Sequence, residues 1–175
     1  MVKGNFHHIF YFGGVEVEKR KIETQKDIQD LYPVVVEIWQ EWFTPIIGAK
    51  QVDFMLHNYQ SKENIETEIK RGARYFALLK EDEIIGYTAY EIKDAAIYIS
   101  KLYIKKEFRG QGLMREIFTW YDKLSEKLGL KQRLRVNRDN THSVAVYEHR
   151  GFKIVATKDD EIGNGFIMND YILEK

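Results

Sequence analysis

Residues 102–115, Leu-Tyr-Ile-Lys-Lys-Glu-Phe-Arg-Gly-Gln-Gly-Leu-Met-Arg, lead from an apolar segment through two glycines into a helical pattern. The first turn of a helix has backbone N–H groups without intrahelical partners, and the helix dipole adds partial positive charge there. Gly110 and Gly112 carry no side chain that would hold an anion away, and Arg109 and Arg115 stand beside them. The segment is therefore predicted to bind a diphosphate.

Two other glycine-rich phosphate motifs do not fit these residues. A dinucleotide fingerprint needs a third glycine and an acidic residue about 20 positions further on. Arg115 stands at the third position instead, and the chain around Leu130 reads Gly-Leu-Lys-Gln. A nucleotide-triphosphate loop needs Lys and then Ser or Thr after its last glycine, but Gly112 is followed by Leu113 and Met114.

A second motif lies downstream, where residues 140–152 read Asn-Thr-His-Ser-Val-Ala-Val-Tyr-Glu-His-Arg-Gly-Phe. Together the two motifs resemble the GCN5-related N-acetyltransferases, the GNAT family. This second run is similar to the family's Asn-x-x-Ala-x-x-x-Tyr-x-x-x-Gly-Phe helix, with Ser143 in place of alanine. The resemblance covers about residues 15–173 and is most specific over residues 97–155.

The resemblance implies how the chain binds acetyl-CoA. In the family, Gln/Arg-x-x-Gly-x-Gly/Ala binds the pyrophosphate, and this pattern falls on Arg109, Gly112 and Met114, with methionine where the family has a small residue. Two strands of the family fold splay apart, and one of them binds the pantetheine arm through its backbone. The residues expected to bind acetyl-CoA are Leu102, Tyr103, Ile104, Arg109, Gly110, Gln111, Gly112, Leu113, Met114, Arg115, Asn140 and Ser143.

The implied fold class is α/β (α+β), with a central mixed, mostly antiparallel sheet of six to seven strands flanked by helices. Residues 15–22 alternate as a half-buried strand, and Thr24 with Asp27 resembles a helix start. Pro33 inside the following helical pattern predicts a kink or a new start. Further helices are predicted over residues 51–57 and from Ser61.

The central and C-terminal parts of the chain alternate between strands and helices. Strands are predicted at residues 75–79, 84–90, 96–104, 133–136, 151–156 and 166–173, the first three as an antiparallel meander. Residues 96–104 and 133–136 are the two strands expected to splay. The helix after Gly112 is predicted to end at Gly129, and another follows at residues 143–149. The helix after Gly112 is expected to bury one stripe of side chains, which are Leu113, Ile117, Trp120, Leu124 and Leu128.

Composition narrows the class of protein. With 175 residues, 44% of them hydrophobic, the chain fits one domain over residues 15–175, after an arm, extra strand or expression remnant at residues 1–14. Lys+Arg and Asp+Glu both number 27, so neither nucleic acid nor membrane is expected as a partner. Cys is absent, which favours the cytoplasm. His7 and His8 lack a third ligand at metal-site spacing, so no metal is expected, and a homodimer is possible.

Acetyl transfer to an amine requires the movement of protons. An amine with a pKa of about 10.4 is almost wholly protonated at pH 7, and a departing thiolate needs an acid. The resemblance implies that Tyr147 is this acid. Three sources of the base remain open, namely a water chain, Glu91 and Tyr98. The histidines are expected to be solvated rather than catalytic; they are His57, His142 and His149.

The acceptor is expected near the N-terminal helices. Glu37 and Glu41 are four residues apart, so they share a helix face beside Trp42, where they could form an acidic entrance for a cationic amine, with Tyr98 nearby. The alternative is a solvated face. We therefore expect an N-acetyltransferase that moves acetyl from acetyl-CoA to a primary amine in a ternary complex, loosely like bacterial spermidine/spermine acetyltransferases.

Two alternatives to an enzyme remain open. One is a catalytically inactive acyl-CoA-binding regulatory domain, which the lack of a family-type glutamate at Tyr98 or Ser100 favours. The other is a partner-binding module that uses Trp39, Trp42 and Phe43, which predicts a large exposed apolar patch.

Overall fold

The computed structural model describes residues 8–12 and 15–175, with side chains from residue 17 onward. Most of the predicted arm at residues 1–14 therefore lies outside the described residues, as do the side chains of His7 and His8. The division into an arm and a domain stays a prediction.

The described residues form eight strands and five α-helices, in the order expected from the resemblance. The strands are β1 (His8–Phe12), β2 (Val15–Lys21), β3 (Arg74–Lys80), β4 (Glu83–Lys93), β5 (Ala96–Ile104), β6 (Lys131–Asn137), β7 (Lys153–Gly163) and β8 (Phe166–Glu174). The helices are α1 (Gln25–Ile47), α2 (Ala49–Asn58), α3 (Lys62–Lys70), α4 (Leu113–Leu128) and α5 (Thr141–His149), with a 3₁₀ turn at Lys106–Phe108. The predicted fold class is confirmed, and β1 adds one strand to the expected six to seven.

The strands form one sheet in the order β1-β2-β3-β4-β5-β6-β8-β7. Among the described strands, every neighbouring pair is antiparallel except β5 and β6, which are parallel. Their pairing ends at Ile99 and Leu134, although β5 continues to Ile104 and β6 to Asn137. The sheet therefore opens between these two strands, as the resemblance implied.

A β-bulge lies at this opening. The register between β4 and β5 shifts so that Ala89 opposes Lys101 while Tyr90 opposes Ile99, which leaves Ser100 as the extra residue. A bulge bends its strand and re-aims the side chains beside it. Both Tyr98 and Lys101, on either side of Ser100, consequently line the same cavity.

Helix starts and ends follow the local signals. Thr24 and Asp27 form the predicted capping box of α1, Ser61 caps α3, and Gly129 in the left-handed conformation ends α4. Of the two alternatives predicted at Pro33, a kink or a new start, the new start is wrong, because α1 runs through this residue. Burial of Leu31, Val35 and other residues on both sides of the proline offsets its missing hydrogen bond.

Helices cover both faces of the sheet, with α1–α3 on one face and α4 on the other. The predicted buried stripe of α4 is partly wrong: Phe118 and Tyr121 are buried, whereas Leu128 is 40% exposed. The Tyr121 hydroxyl reaches the sheet and lies 2.6 Å from Thr88 Oγ1, which turns this side of α4 inward. Within the described residues, no helix combines the length and apolar character needed to cross a bilayer.

Candidate active site

A cavity of about 1040 Å³ occupies the opening between β5 and β6. Besides the two strands, the residues that line it come from α1, α2 and α3, from α5 and from the turn before α4. Leu102, Tyr103 and Ile104 line it, and beyond Ile99 the β6 side of β5 has no strand neighbour among the described residues. The three residues predicted to bind the pantetheine arm are therefore brought to the cavity wall.

The glycine turn forms one end of the cavity. Gly110 and Gly112 have φ values of +74° and +83°, a left-handed conformation that glycine adopts without strain. Gly112 is the N-cap of α4, so the N–H groups of Leu113 and Met114 begin the helix without intrahelical acceptors. These residues line the cavity together with Arg115, which agrees with the predicted diphosphate site.

Arg109 lies at this end but is already bound within the chain. Its Nε donates to the Ile104 carbonyl oxygen at 2.8 Å, and its two terminal nitrogens contact the Glu41 carboxylate at 3.2 and 2.6 Å. The guanidinium also lies over the Trp42 ring, 4.4 Å from its centroid. Gln111 does not line the cavity, because its side chain donates to the Glu107 carbonyl oxygen at 3.0 Å.

Helix α5 supplies the opposite wall. The Asn140 side chain is buried and accepts a hydrogen bond from the Ser143 N–H at 3.3 Å, which fixes the start of the helix. One helical turn after Ser143, the Tyr147 ring lies edge-on to Phe118 and Phe152, with centroids 6.0 Å apart in each pair. Desolvation raises the pKa of Tyr147 to about 12, so its hydroxyl keeps its proton at neutral pH.

The predicted acidic entrance is not formed at the cavity. Glu41 is bound to Arg109, and Glu37 lies 3.5 Å from Lys105, so neither carboxylate lines the wall. Trp42 and Tyr98, the other two predicted acceptor residues, do line it. The patch expected for a partner-binding module is wrong as well, because Trp39 and Phe43 are buried and Trp42 packs against Arg109 and His142.

Two of the three candidates for the base are side chains, and both lie at this cavity. Glu91 and Tyr98 line the cavity, and desolvation raises the pKa of Tyr98 above its ordinary value. His142 and His149 also line it from α5, whereas His57 does not. The structure therefore keeps both non-aqueous candidates for the base at the wall.

Sequence reasoning missed two groups of polar residues that line the cavity. In the first, buried Lys101 donates to Gln60 Oε1 at 3.0 Å and lies 3.6 Å from Glu68, which also accepts a hydrogen bond from the Tyr75 hydroxyl. Desolvation lowers the pKa of Lys101.

The second missed group is Asp170 with Arg135, both of which line the cavity. The available signal was a charged residue inside an apolar strand, Lys101 in Ile-Ser-Lys-Leu-Tyr and Asp170 in Met-Asn-Asp-Tyr-Ile.

Comparisons with known proteins point to one family. The family model described as Acetyltransferase (GNAT) domain matches residues 44–175. A spermidine N(1)-acetyltransferase of Thermoplasma acidophilum is 26% identical over 160 residues, covering 88% of this chain and 95% of that protein.

Solved structures extend the comparison at the level of the fold. The PaiA N-acetyltransferase of Thermoplasma acidophilum, in complex with coenzyme A, superposes with a TM-score of 0.74 at 24% identity, covering 91% of this chain and 98% of that one. A Salmonella typhimurium acetyltransferase that modifies the N-terminal serine of ribosomal protein L7/L12 gives a TM-score of 0.67 at 17% identity, covering 96% and 98%.

Proposed function

This chain belongs to the GNAT family of acetyl-CoA-dependent N-acetyltransferases, and we propose that it transfers the acetyl group to a primary amine of a polyamine. The observation that carries the proposal is the cavity where β5 and β6 diverge, with the glycine turn at one end and Tyr147 in its wall. Similarity to a spermidine acetyltransferase supports a polyamine as the acceptor.

Different residues of the cavity bind acetyl-CoA, donate a proton and contact the acceptor. Acetyl-CoA supplies the thioester, the turn at Gly110 and Gly112 holds its diphosphate, and the open side of β5 holds its pantetheine arm. Tyr147 donates a proton to the departing sulfur, for which its raised pKa keeps it in the neutral form. Trp42 and Tyr98 contact the acceptor from the other wall.

We infer direct transfer in a ternary complex. The chain has no cysteine, and it lacks a Gly-x-Ser-x-Gly turn that would present a serine nucleophile. The amine itself therefore attacks the thioester. A location in the cytoplasm and a homodimer stay predictions.

Two measurements test the proposal. Acetyl-CoA at 100 times its Kd should stabilise the folded protein by about 2.7 kcal/mol, which appears as a higher melting temperature. A panel of spermidine, spermine, a peptide α-amine and an aminoglycoside, followed by release of free thiol, should then show spermidine or spermine as the best acceptor.

Initial rates at several fixed acceptor concentrations should give intersecting lines. Parallel lines or an acetylated enzyme would contradict direct transfer. Stabilisation by acetyl-CoA without turnover of any amine would instead identify the chain as an acyl-CoA-binding domain.

A further inference from the structure

Asp170 is a buried carboxylate in the wall of the cavity. It lies on β8, opposite Asn137 at the end of β6, and only 1% of the residue is exposed. Its Oδ2 accepts a hydrogen bond from Arg135 Nε at 3.0 Å. Its Oδ1 is buried and has no hydrogen-bond partner among the residues described by the structure.

A buried carboxylate oxygen without a donor is costly, because it has given up its hydrogen bonds to water. Arg135 does not compensate Asp170 fully, since the same guanidinium also donates to Asp160 Oδ2 at 2.7 Å. An uncompensated acceptor in the wall of a substrate cavity fits a ligand that brings its own N–H donor. The protonated amine of the acceptor is such a ligand.

We propose that Asp170 binds the acceptor ammonium and takes its proton, which makes Asp170 the general base of the reaction. This inference rests on the proposed amine acetylation. It assigns the base to β8, and not to Glu91, to Tyr98 or to a water chain. Arg135 is a positioning residue, because it fixes Oδ2 and thereby leaves Oδ1 for the acceptor.

The protons of the reaction balance with this assignment. The ammonium gives one proton to Asp170, and the freed lone pair forms the N–C bond as the C–S bond breaks. The Tyr147 proton passes to the sulfur, and the second proton leaving the nitrogen restores the Tyr147 hydroxyl. Asp170 then releases its proton to solvent, so both residues return to their starting states.

The surroundings of Asp170 favour a base stronger than an ordinary aspartate. Burial raises its pKa, while the charges of Arg135 and Arg138 act in the opposite direction. The charged and titratable groups around it come from three neighbouring strands. They are Arg135 on β6 with Arg138 directly after that strand, Lys158 and Asp160 on β7, and Tyr98 and Tyr103 on β5.

The test replaces Asp170 by asparagine, which keeps an oxygen for Arg135 but cannot accept the proton. With spermidine at pH 7, D170N should lower kcat by about 100- to 10,000-fold, the usual effect of losing a general base. Stabilisation by acetyl-CoA should be unchanged, which shows that the variant is folded. The matched control is E174Q, which alters the Arg133–Glu174 ion pair between the same two strands but outside the cavity lining, and it should leave kcat close to that of wild type.

A second measurement separates proton transfer from a structural role. A peptide α-amine has a pKa of about 8 and is partly neutral at pH 7, so D170N should slow its acetylation less than that of spermidine. The deficit with spermidine should also shrink as the pH is raised toward 10. Equal losses for both amines at every pH, or a D170N enzyme as active as wild type, would overturn the assignment of the base to Asp170. Either result would leave the proposed amine acetylation standing. A wild-type enzyme that acetylates no amine would overturn this inference and the proposed function together.

Discussion

The proposed acid, Tyr147, owes both its orientation and its protonation state to one apolar environment. The ring is held by Phe118 and Phe152, so its direction is fixed by aromatic packing. The same apolar surroundings raise the pKa to about 12 and keep the hydroxyl protonated. A tyrosine in water, with a pKa of about 10, would begin to lose its proton two pH units earlier.

Replacing Tyr147 by phenylalanine should therefore lower kcat and leave acetyl-CoA binding intact. The expected loss is about 100- to 10,000-fold, because the departing sulfur no longer receives a positioned proton. Steady-state rates with spermidine and the melting shift with acetyl-CoA measure the two effects. A Y147F enzyme with wild-type kcat would show that Tyr147 is not the acid and contributes only to packing.

At the scale of elements, β4 and β5 approach each other closely beside the opening of the sheet. Gly86 opposes Ile104, and a Cβ on it would lie 2.4 Å from the Tyr103 carbonyl oxygen. These are backbone atoms, which cannot move aside without moving β5. Glycine at this position thus keeps β5 in register beside the opening.

Gly86→Ala should lower both stability and acetyl-CoA affinity. Overpacking of this kind costs about 1–3 kcal/mol, and part of the displacement falls on the segment of β5 proposed to bind pantetheine. Thermal unfolding and calorimetric titration with acetyl-CoA measure the two effects.

The control for this variant is Gly129→Ala at the end of α4. Gly129 has φ +65° and open space around its Cα, so alanine there strains the cap without touching β5. This control should lose stability while keeping its affinity. If G86A binds acetyl-CoA as tightly as G129A does, the close approach has no part in binding.

At the scale of the whole molecule, features set by neighbouring residues are predictable from the sequence, and features set by long-range packing are not. The glycine turn, the caps of α1 and α3 and the order of strands depend on neighbouring residues, so local patterns predict them. The partner of Glu41 is Arg109, 68 residues away, and the role proposed for Asp170 depends on its place beside β6. These arrangements exist only after the sheet and helices have packed, which is why local patterns predicted the glycine turn before α4 and missed Lys101 and Asp170.

A buried lysine links the stability of the whole molecule to pH. Lys19 on β2 is 5% exposed, its Nζ lies 3.3 Å from the centroid of the Trp120 ring, and burial lowers its pKa to about 7. The unfolded chain holds this proton up to a pKa of about 10.4, so it binds more protons than the folded state between these values. The free energy of unfolding should therefore rise with pH across this window.

The Lys19→Met variant should flatten this dependence, because methionine keeps the apolar length and has no charge. The wild-type contribution is at most about 1.4 kcal/mol per pH unit, reduced by the attraction of the cation to the Trp120 ring. Urea unfolding of both proteins at pH 7, 8 and 9 measures the difference. Identical slopes for the two proteins would show that Lys19 keeps its proton in the folded state.

We expect the bond between Glu41 and Arg109 to make the glycine turn selective among anions. Glu41 is a competitor tethered to the same chain, so any anion that binds the guanidinium must displace a carboxylate held at high effective concentration. Inorganic phosphate or sulfate can make contacts only at this end of the cavity. A diphosphate carried on a long amide-containing arm also gains the open edge of β5, and we expect the turn to discriminate by the length of what is attached to the anion as well as by its charge.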